Sequence, residues 1–261
     1  MGSYTLLFKG DRLPTVGVLQ VLLNRTGGNL TVDGAFGSKT HAALVAFQRQ
    51  RNMPPDGIAD DVTWRRLIFH DALPLVDVFD VFDENLYKKQ FKQVQESGGE
   101  PLAMGGMSNG LAEMVQMLRS ASDIYLLRIT GHGCPGVQAI TMGQGGWIET
   151  VGRQQIRHIY PHETTSLNSG NVGTFPTGAL KGIFGPFGSV ELHGCHVAHG
   201  AAGHGFVRSL ANKLGVPVTA GIKSQRSALR FQGPTFTAVP GGLPLSRWCG
   251  ALPRLVPISV P

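Results

Sequence analysis

IYLLRITGHG at residues 124–133 and SVELHGC at residues 189–195 are the two stretches that decide the fold of this chain. Each is an apolar run of the length of a buried strand. The first ends with His132 before Gly133, and the second ends with Cys195 after Gly194. A thiol becomes a nucleophile near neutral pH when an imidazole lies beside it. The two stretches therefore predict a Cys195/His132 pair at the ends of adjacent parallel strands.

Apolar runs and helical periods alternate from about residue 74 onward, which predicts an α/β domain over residues 74–261 with a mostly parallel sheet flanked by helices. We expect further strands at 75–82, 101–104, 216–222 and 231–239, short hairpin strands at 137–142 and 147–151, and helices at 85–96, 111–118, 153–160 and 203–214. Ligands of open α/β sheets collect at the carboxyl ends of the strands, where both reactive residues would lie.

Residues 10–68 predict a smaller, all-α unit of three helices, within a domain spanning residues 1–70. Val16, Leu19 and Leu22 recur at helical spacing. The turn signals Asp33-Gly34 and Asp56-Gly57 each precede a predicted helix, which indicates a weak internal repeat.

Composition restricts the function classes. The net charge of +6 is mild and no basic run is present, so we expect no nucleic-acid partner. Three cysteines cannot all pair within the chain, which argues against a disulfide scaffold. No apolar stretch reaches the roughly 20 residues of a membrane span, and no secretory signal is visible. Work outside the cytoplasm, in a bacterial periplasm or cell envelope, would then need another export route, cell lysis or a signal that has been removed.

The N-terminal unit resembles the peptidoglycan-binding domain found beside many bacterial wall hydrolases. The spaced pieces that carry the resemblance are VDGAFG at 32–37, Thr40, Phe47-Gln48, Asp56-Gly57 and Thr63-Trp64. The resemblance implies peptidoglycan as a partner. The residues it implies for peptidoglycan binding are Asp33, Gly34, Phe36, Gly37, Thr40, Phe47 and Gln48. A generic helical adaptor is the alternative.

Residues 74–240 resemble the caspase-like superfamily of cysteine peptidases, in which a strand leads to His-Gly and a later strand leads to Gly-Cys. They are also similar to a caspase-related bacterial domain of large surface proteins. The resemblance implies Cys195 as nucleophile and His132 as general base and acid. It also implies that the backbone N–H groups of Gly133 and Cys195 bind the oxyanion. It requires no cofactor, metal or third catalytic residue, although Asp77 or Asp80 on the first strand could orient nearby groups.

Two alternatives to this dyad stay open. His193 stands where many relatives carry an acidic residue or glutamine, and Cys195 could instead be an inert buried thiol. In addition, His193, Cys195, His196, His199 and His204 lie within twelve residues, and imidazole and thiolate are ligands that zinc prefers.

We therefore expect a cell-wall-targeted cysteine endopeptidase that cleaves peptide bonds of a peptide or protein substrate through a thioester. A peptidoglycan amidase or endopeptidase with the same dyad is one alternative, and delivery as an antibacterial toxin is compatible with it. A non-catalytic wall-binding protein is another. The sequence specifies neither an oligomeric state nor a preference for the residue before the scissile bond.

Overall fold

A computed structural model describes residues 3–68, 73–81, 87–105, 109–141, 146–151, 154–159, 166–173 and 177–256. In these ranges, no helix is long and apolar enough to cross a membrane. Three helices precede a mixed, mostly parallel sheet with further helices, so both expected fold classes are confirmed at this level. A caspase-like fold stays a prediction.

The α-helices of the described residues are α1 (Pro14–Arg25), α2 (Ser38–Gln50), α3 (Asp61–Ile68), α4 (Lys92–Glu96, after a π-helical turn at Tyr87–Phe91), α5 (Gly110–Leu118), α6 (Thr177–Lys181), α7 (Gly200–Leu214) and α8 (Leu245–Gly250). The strands are β1 (Leu75–Asp80), β2 (Leu102–Met104), β3 (Ile124–Thr130), β4 (Gly133–Cys134), β5 (Val137–Ala139), β6 (Gly146–Val151), β7 (Gln154–Ile159), β8 (Ser166–Asn168), β9 (Phe184–Leu192), β10 (Val218–Gly221) and β11 (Thr235–Ala238).

The main sheet has the order β11-β10-β9-β3-β1-β2, in which β10 and β11 are antiparallel and the other neighbours are parallel. Alternate residues of its strands face opposite sides. Leu127 and Ile129 of β3 pack in the core that α5 and α7 cover. Leu126 belongs instead to the core of the N-terminal helices, and Tyr125 joins it there because the β3–β9 register shifts between Ile124 and Leu126. The three-helix unit therefore covers one face of the sheet and shares a core with it. The boundary predicted between residues 70 and 74 stays a prediction.

A row of charged side chains crosses the sheet beneath this unit. Register aligns Asp77 of β1, Arg128 of β3 and Glu191 of β9. The Arg128 guanidinium lies 2.8 Å from the Asp77 carboxylate and 3.5 Å from that of Glu191, and it donates to the Thr5 hydroxyl at 2.9 Å. His193 completes the row with a ring nitrogen 3.1 Å from Glu191. All of these side chains are buried, so each charge depends on its neighbours.

Burial and neighbouring charges act in opposite directions on the two carboxylates. Burial raises the pKa of Asp77 above its usual value despite the opposing effect of Arg128. Burial would also raise the pKa of Glu191, but the His193 hydrogen bond and the Arg128 charge outweigh it and lower that pKa. Glu191 is therefore the firmly ionised partner of the buried guanidinium.

The helix predicted over residues 153–160 is wrong. Gln154–Ile159 instead forms β7, which pairs with β6 in a hairpin, with Val151 opposite Gln154 and Gly146 opposite Ile159. A cross-strand ladder of hydrogen bonds satisfies this backbone, and such tertiary pairing overrides a weak local helical preference. Residues 152–153 and 160 lie outside the described residues, as do residues 82–86 at the start of the helix expected from residue 85.

Candidate active site

The two strand ends that carry His132 and Cys195 are neighbours, as expected. β3 and β9 pair in parallel with Ile129 opposite Leu192. His132 and Cys195 each follow the last of these paired residues by three positions, in the turns at the carboxyl edge of the sheet. Both side chains are half-buried. The catalytic pairing of these side chains stays a prediction.

Two glycines let the backbones of the turns touch. A Cβ on Gly133 would lie 2.9 Å from the Cys195 carbonyl oxygen, and a Cβ on Gly194 would lie 3.0 Å from the His132 carbonyl oxygen. A Cβ closer than 3.0 Å to another heavy atom forces that atom to move, and the Cβ on Gly194 would also lie 2.7 Å from the Gln138 Oε1. Glycine at both positions is therefore a condition for the close approach of the two turns.

The N–H groups predicted to bind an oxyanion have favourable surroundings. The Ala139 N–H donates to the His132 carbonyl at 2.9 Å, and Gly133 is opposite Gln138 in the β4–β5 ladder. Alternation in an antiparallel ladder then directs the Gly133 N–H away from β5. The N–H of Cys195 has no acceptor in the described part of the chain. His196 follows with φ of 59°, a strained value for a residue with a side chain.

Gln138 is a buried residue of this site that sequence reasoning missed. Its Oε1 accepts the Gly194 N–H at 2.9 Å, and its Nε2 donates to the Ala139 carbonyl at 3.0 Å. The side chain thus joins the hairpin after His132 to the peptide before Cys195. No sequence signal marks this role, because the partner lies 56 positions away in a different turn.

The segment 223–232 lies over the thiol. The Gln225 N–H donates to the Cys195 Sγ at 3.3 Å, and the thiol lies 3.7 Å from the Gln225 carbonyl oxygen. The segment is braced internally, since the Gln232 N–H donates to the Gln225 Oε1 at 2.8 Å. It is also fixed to the sheet, where His193 contacts the Ser227 carbonyl at 3.2 Å. The backbone of Gln225 therefore sets the position of the sulfur.

Cys134, Cys249 and the two aspartates of β1 have surroundings that differ from those of Cys195. Cys134 lies at the start of the Pro135-Gly136 turn, and burial raises its pKa. Cys249 is fully buried, and burial and the nearby Asp33 raise its pKa to about 12. Asp77 is committed to Arg128, whereas the buried Asp80 has its Cβ 3.3 Å from the place where Gly131 would carry one.

The histidines considered for zinc separate into different contacts. His193 is stacked on Phe231 at 4.2 Å, His204 is stacked on Phe236 at 3.9 Å, and His196 and His199 meet edge to face at 6.1 Å. In the described ranges, no three His, Cys, Asp or Glu side chains gather as metal ligands. These residues do not fit a zinc centre, which needs three or four converging ligands.

The residues predicted to bind peptidoglycan form the internal frame of the helical unit. Gln20 Nε2 donates to Asp33 Oδ1 at 2.9 Å and to the Ala35 carbonyl at 3.1 Å, while its Oε1 accepts the Gly34 N–H at 3.0 Å. Gln48 repeats this clamp on the second turn, with 2.8 Å to Asp56 Oδ1 and 2.9 Å from the Gly57 N–H. The weak repeat expected from the sequence is therefore a real structural repeat.

The remaining predicted residues surround these clamps. Phe36, Phe47, Gln48 and Thr40 are buried, whereas Gly37 is exposed and Asp33 is half-buried. Gly34 has φ of +75°, and a Cβ there would lie 2.9 Å from the Cys249 Sγ. Direct contact of these residues with a glycan stays a prediction, and their described contacts shape the module.

Comparisons with known proteins agree with the N-terminal part of this account. Residues 12–67 match the family model described as "Putative peptidoglycan binding domain". Residues 83–226, more than half of the chain, match the model described as "Domain of unknown function (DUF4347)". The chain is also similar to the zinc D-Ala-D-Ala carboxypeptidase of Streptomyces albus G, at 24% identity over 194 residues. That match covers 71% of this chain and 60% of the relative's length.

Proposed function

Because the chain belongs to the family described as "Domain of unknown function (DUF4347)", its activity has to be inferred from its own residues, and we propose a cell-wall-targeted cysteine endopeptidase. Cys195 is the nucleophile and His132 the general base and acid. The observation that carries the proposal is the parallel pairing of β3 with β9, which puts the turns bearing these two residues in backbone contact.

The reaction follows the usual course of thiol acyl transfer. His132 takes the Cys195 proton as the sulfur attacks the substrate carbonyl carbon, and the N–H groups of Gly133 and Cys195 bind the oxyanion. His132 then protonates the leaving amine, the C–N bond breaks and a thioester remains. A water molecule, deprotonated by His132, hydrolyses the thioester and restores the thiol.

Two features of the described residues support these roles. The Gly133 N–H is directed away from β5, and the Cys195 N–H lacks an acceptor in the described ranges, so both donors are available to a ligand. One oxyanion donor contributes about 3 kcal/mol to transition-state stabilisation. The Gln225 N–H, 3.3 Å from the sulfur, favours negative charge there as the proton leaves.

The targeting part of the proposal rests on the N-terminal module, and it implies action in a bacterial periplasm or cell envelope. The match of residues 12–67 supports peptidoglycan as the polymer that the module holds. Similarity to a D-Ala-D-Ala carboxypeptidase favours, as a second candidate, cleavage within peptidoglycan stem peptides by the same dyad.

Labelling with a thiol-reactive peptide probe tests the dyad. We expect the wild type to be modified at Cys195, and His132→Ala to lower the labelling rate at least about a hundredfold, the usual scale of general base catalysis. Cys134→Ala is the matched control and keeps the wild-type rate. Equal labelling of the wild type and His132→Ala would refute the dyad.

Digestion of purified sacculi separates the two substrate classes. Release of soluble muropeptides that is lost in Cys195→Ala favours the stem-peptide candidate, whereas cleavage of envelope proteins alone favours the endopeptidase. Unchanged behaviour of Cys195→Ala in both assays would favour a non-catalytic binding protein.

A further inference from the structure

A cavity between α1 and the segment around α8 has the composition of a ligand site. It has a volume of about 600 Å³ and lies between the end of α1, the loop that follows it and the segment around and after α8. Its apolar lining includes Val21 and Leu252, and its polar lining includes Arg25, Asn29 and Arg254. Among the described residues that line it, none is acidic.

The cavity is built jointly by the two ends of the chain. Arg25 of α1 donates from Nε to the Val256 carbonyl at 3.0 Å, which holds the C-terminal segment against the module. Leu252 is buried in the core of the module, and Cys249 fills the space left by Gly17 and Gly34. One wall of the cavity therefore exists only while the C-terminal segment is docked.

The lining matches the chemistry of a peptidoglycan strand. The Arg254 guanidinium can pair with a carboxylate in charge-assisted, bidentate hydrogen bonds, and the lactyl-peptide branches of peptidoglycan end in carboxylates. The Asn29 amide can both donate to and accept from an acetamido group, and an apolar wall suits the C–H faces of sugar rings. Asn29 and Arg254 are exposed and so are accessible to a polymer.

We propose that this cavity is the peptidoglycan subsite, formed by the N-terminal module together with the segment at residues 249–255. The inference rests on the proposed function, which assigns the polymer to the module without locating its contact surface. It differs from the sequence-predicted set, whose phenylalanines are buried inside the module.

Pelleting of the full chain with purified sacculi, stripped by acid of attached anionic polymers, tests the subsite. We expect Arg254→Glu, which reverses the charge, and Thr31→Trp, which fills the cavity from an exposed lining position, each to raise the apparent Kd at least about tenfold. Arg247→Glu and Ser38→Trp are the matched controls at exposed positions outside the lining, and they retain wild-type binding. Thermal melting of each variant checks folding.

The outcomes of this experiment separate the proposed subsite from wall targeting. If the wild type pellets and both cavity variants pellet equally well, the subsite is wrong and wall targeting stands. If the wild type pellets only with unstripped sacculi, the ligand is the attached anionic polymer and the subsite is again wrong. If the wild type pellets with neither, wall targeting fails, and the subsite with it.

Discussion

Replacement of Gly17 tests whether the C-terminal segment is a structural part of the N-terminal module. Gly17 lies inside α1, where alanine normally stabilises a helix by about 1 kcal/mol relative to glycine. Here the added Cβ would lie 2.6 Å from the Cys249 Sγ and 3.1 Å from its Cβ. Overpacking of this kind costs about 1–3 kcal/mol. We therefore expect Gly17→Ala to lower the free energy of unfolding by about 1 kcal/mol.

A double-mutant cycle with Cys249→Ala isolates the contact. Removal of the sulfur takes away the contact of 2.6 Å and leaves the Cys249 Cβ at 3.1 Å and the Leu252 Cδ1 at 3.4 Å as the next ones, so Gly17→Ala should become neutral or stabilising in that background. The expected coupling energy is at least about 1 kcal/mol. Urea unfolding followed by tryptophan fluorescence measures all four variants.

Gly205 supplies the control, because it lies inside α7 and a Cβ added there would have open space around it. Gly205→Ala should stabilise the protein by about 1 kcal/mol whether or not the sulfur is present. The reasoning is refuted if Gly17→Ala stabilises as much as Gly205→Ala, or if its effect is the same in both Cys249 backgrounds.

Three other changes test the core and the site. Arg128→Met should cost about 3–5 kcal/mol in urea unfolding, because it leaves two buried carboxylates without their cation; a loss below 1 kcal/mol would contradict the charged row. Since burial raises the pKa of Cys249 from 9.0 to about 12, the unfolded thiol ionises first. The stability present below pH 9 should then fall by about 1.4 kcal/mol per pH unit towards pH 12 relative to Cys249→Ala, and parallel pH profiles would contradict this. Gln138→Leu leaves a buried N–H unpaired and should cost about 1–3 kcal/mol while slowing probe labelling of Cys195, whereas an unchanged rate would exclude a positioning role.

Secondary-structure elements with a strong apolar pattern could be predicted from the sequence. β3 and the last five residues of β9 are buried, and α7 has Phe206, Val207 and Leu210 on one face, so the type and the position of these elements were predictable. The start of β9 could not be predicted. The strand begins at Phe184 rather than near Ser189, because its first residue pairs with Ile124 of β3 and the stretch has no apolar pattern. The proposed pair of His132 and Cys195 could be named because a glycine beside each marks the end of a strand.

Features that depend on distant partners could not be predicted. Gln138 acts through a residue 56 positions away, and Arg128 interrupts an apolar run with no sign of the carboxylates that face it. The short helix α8 has only six residues and no periodicity to detect. Its importance comes from Cys249, which packs where two glycines of the other end of the chain make room. Local sequence carries no information on such pairings.

The core that the helical unit shares with the sheet fixes the distance between the N-terminal module and Cys195. Trp64 of α3 and Tyr125 of β3 lie in that core with ring centres 6.2 Å apart, so the module cannot swing on a linker as a tethered anchor would. If the module holds the polymer as proposed, that polymer would reach Cys195 at one distance and one angle. Such an enzyme would cleave the polymer at a fixed spacing from the point at which the module binds it.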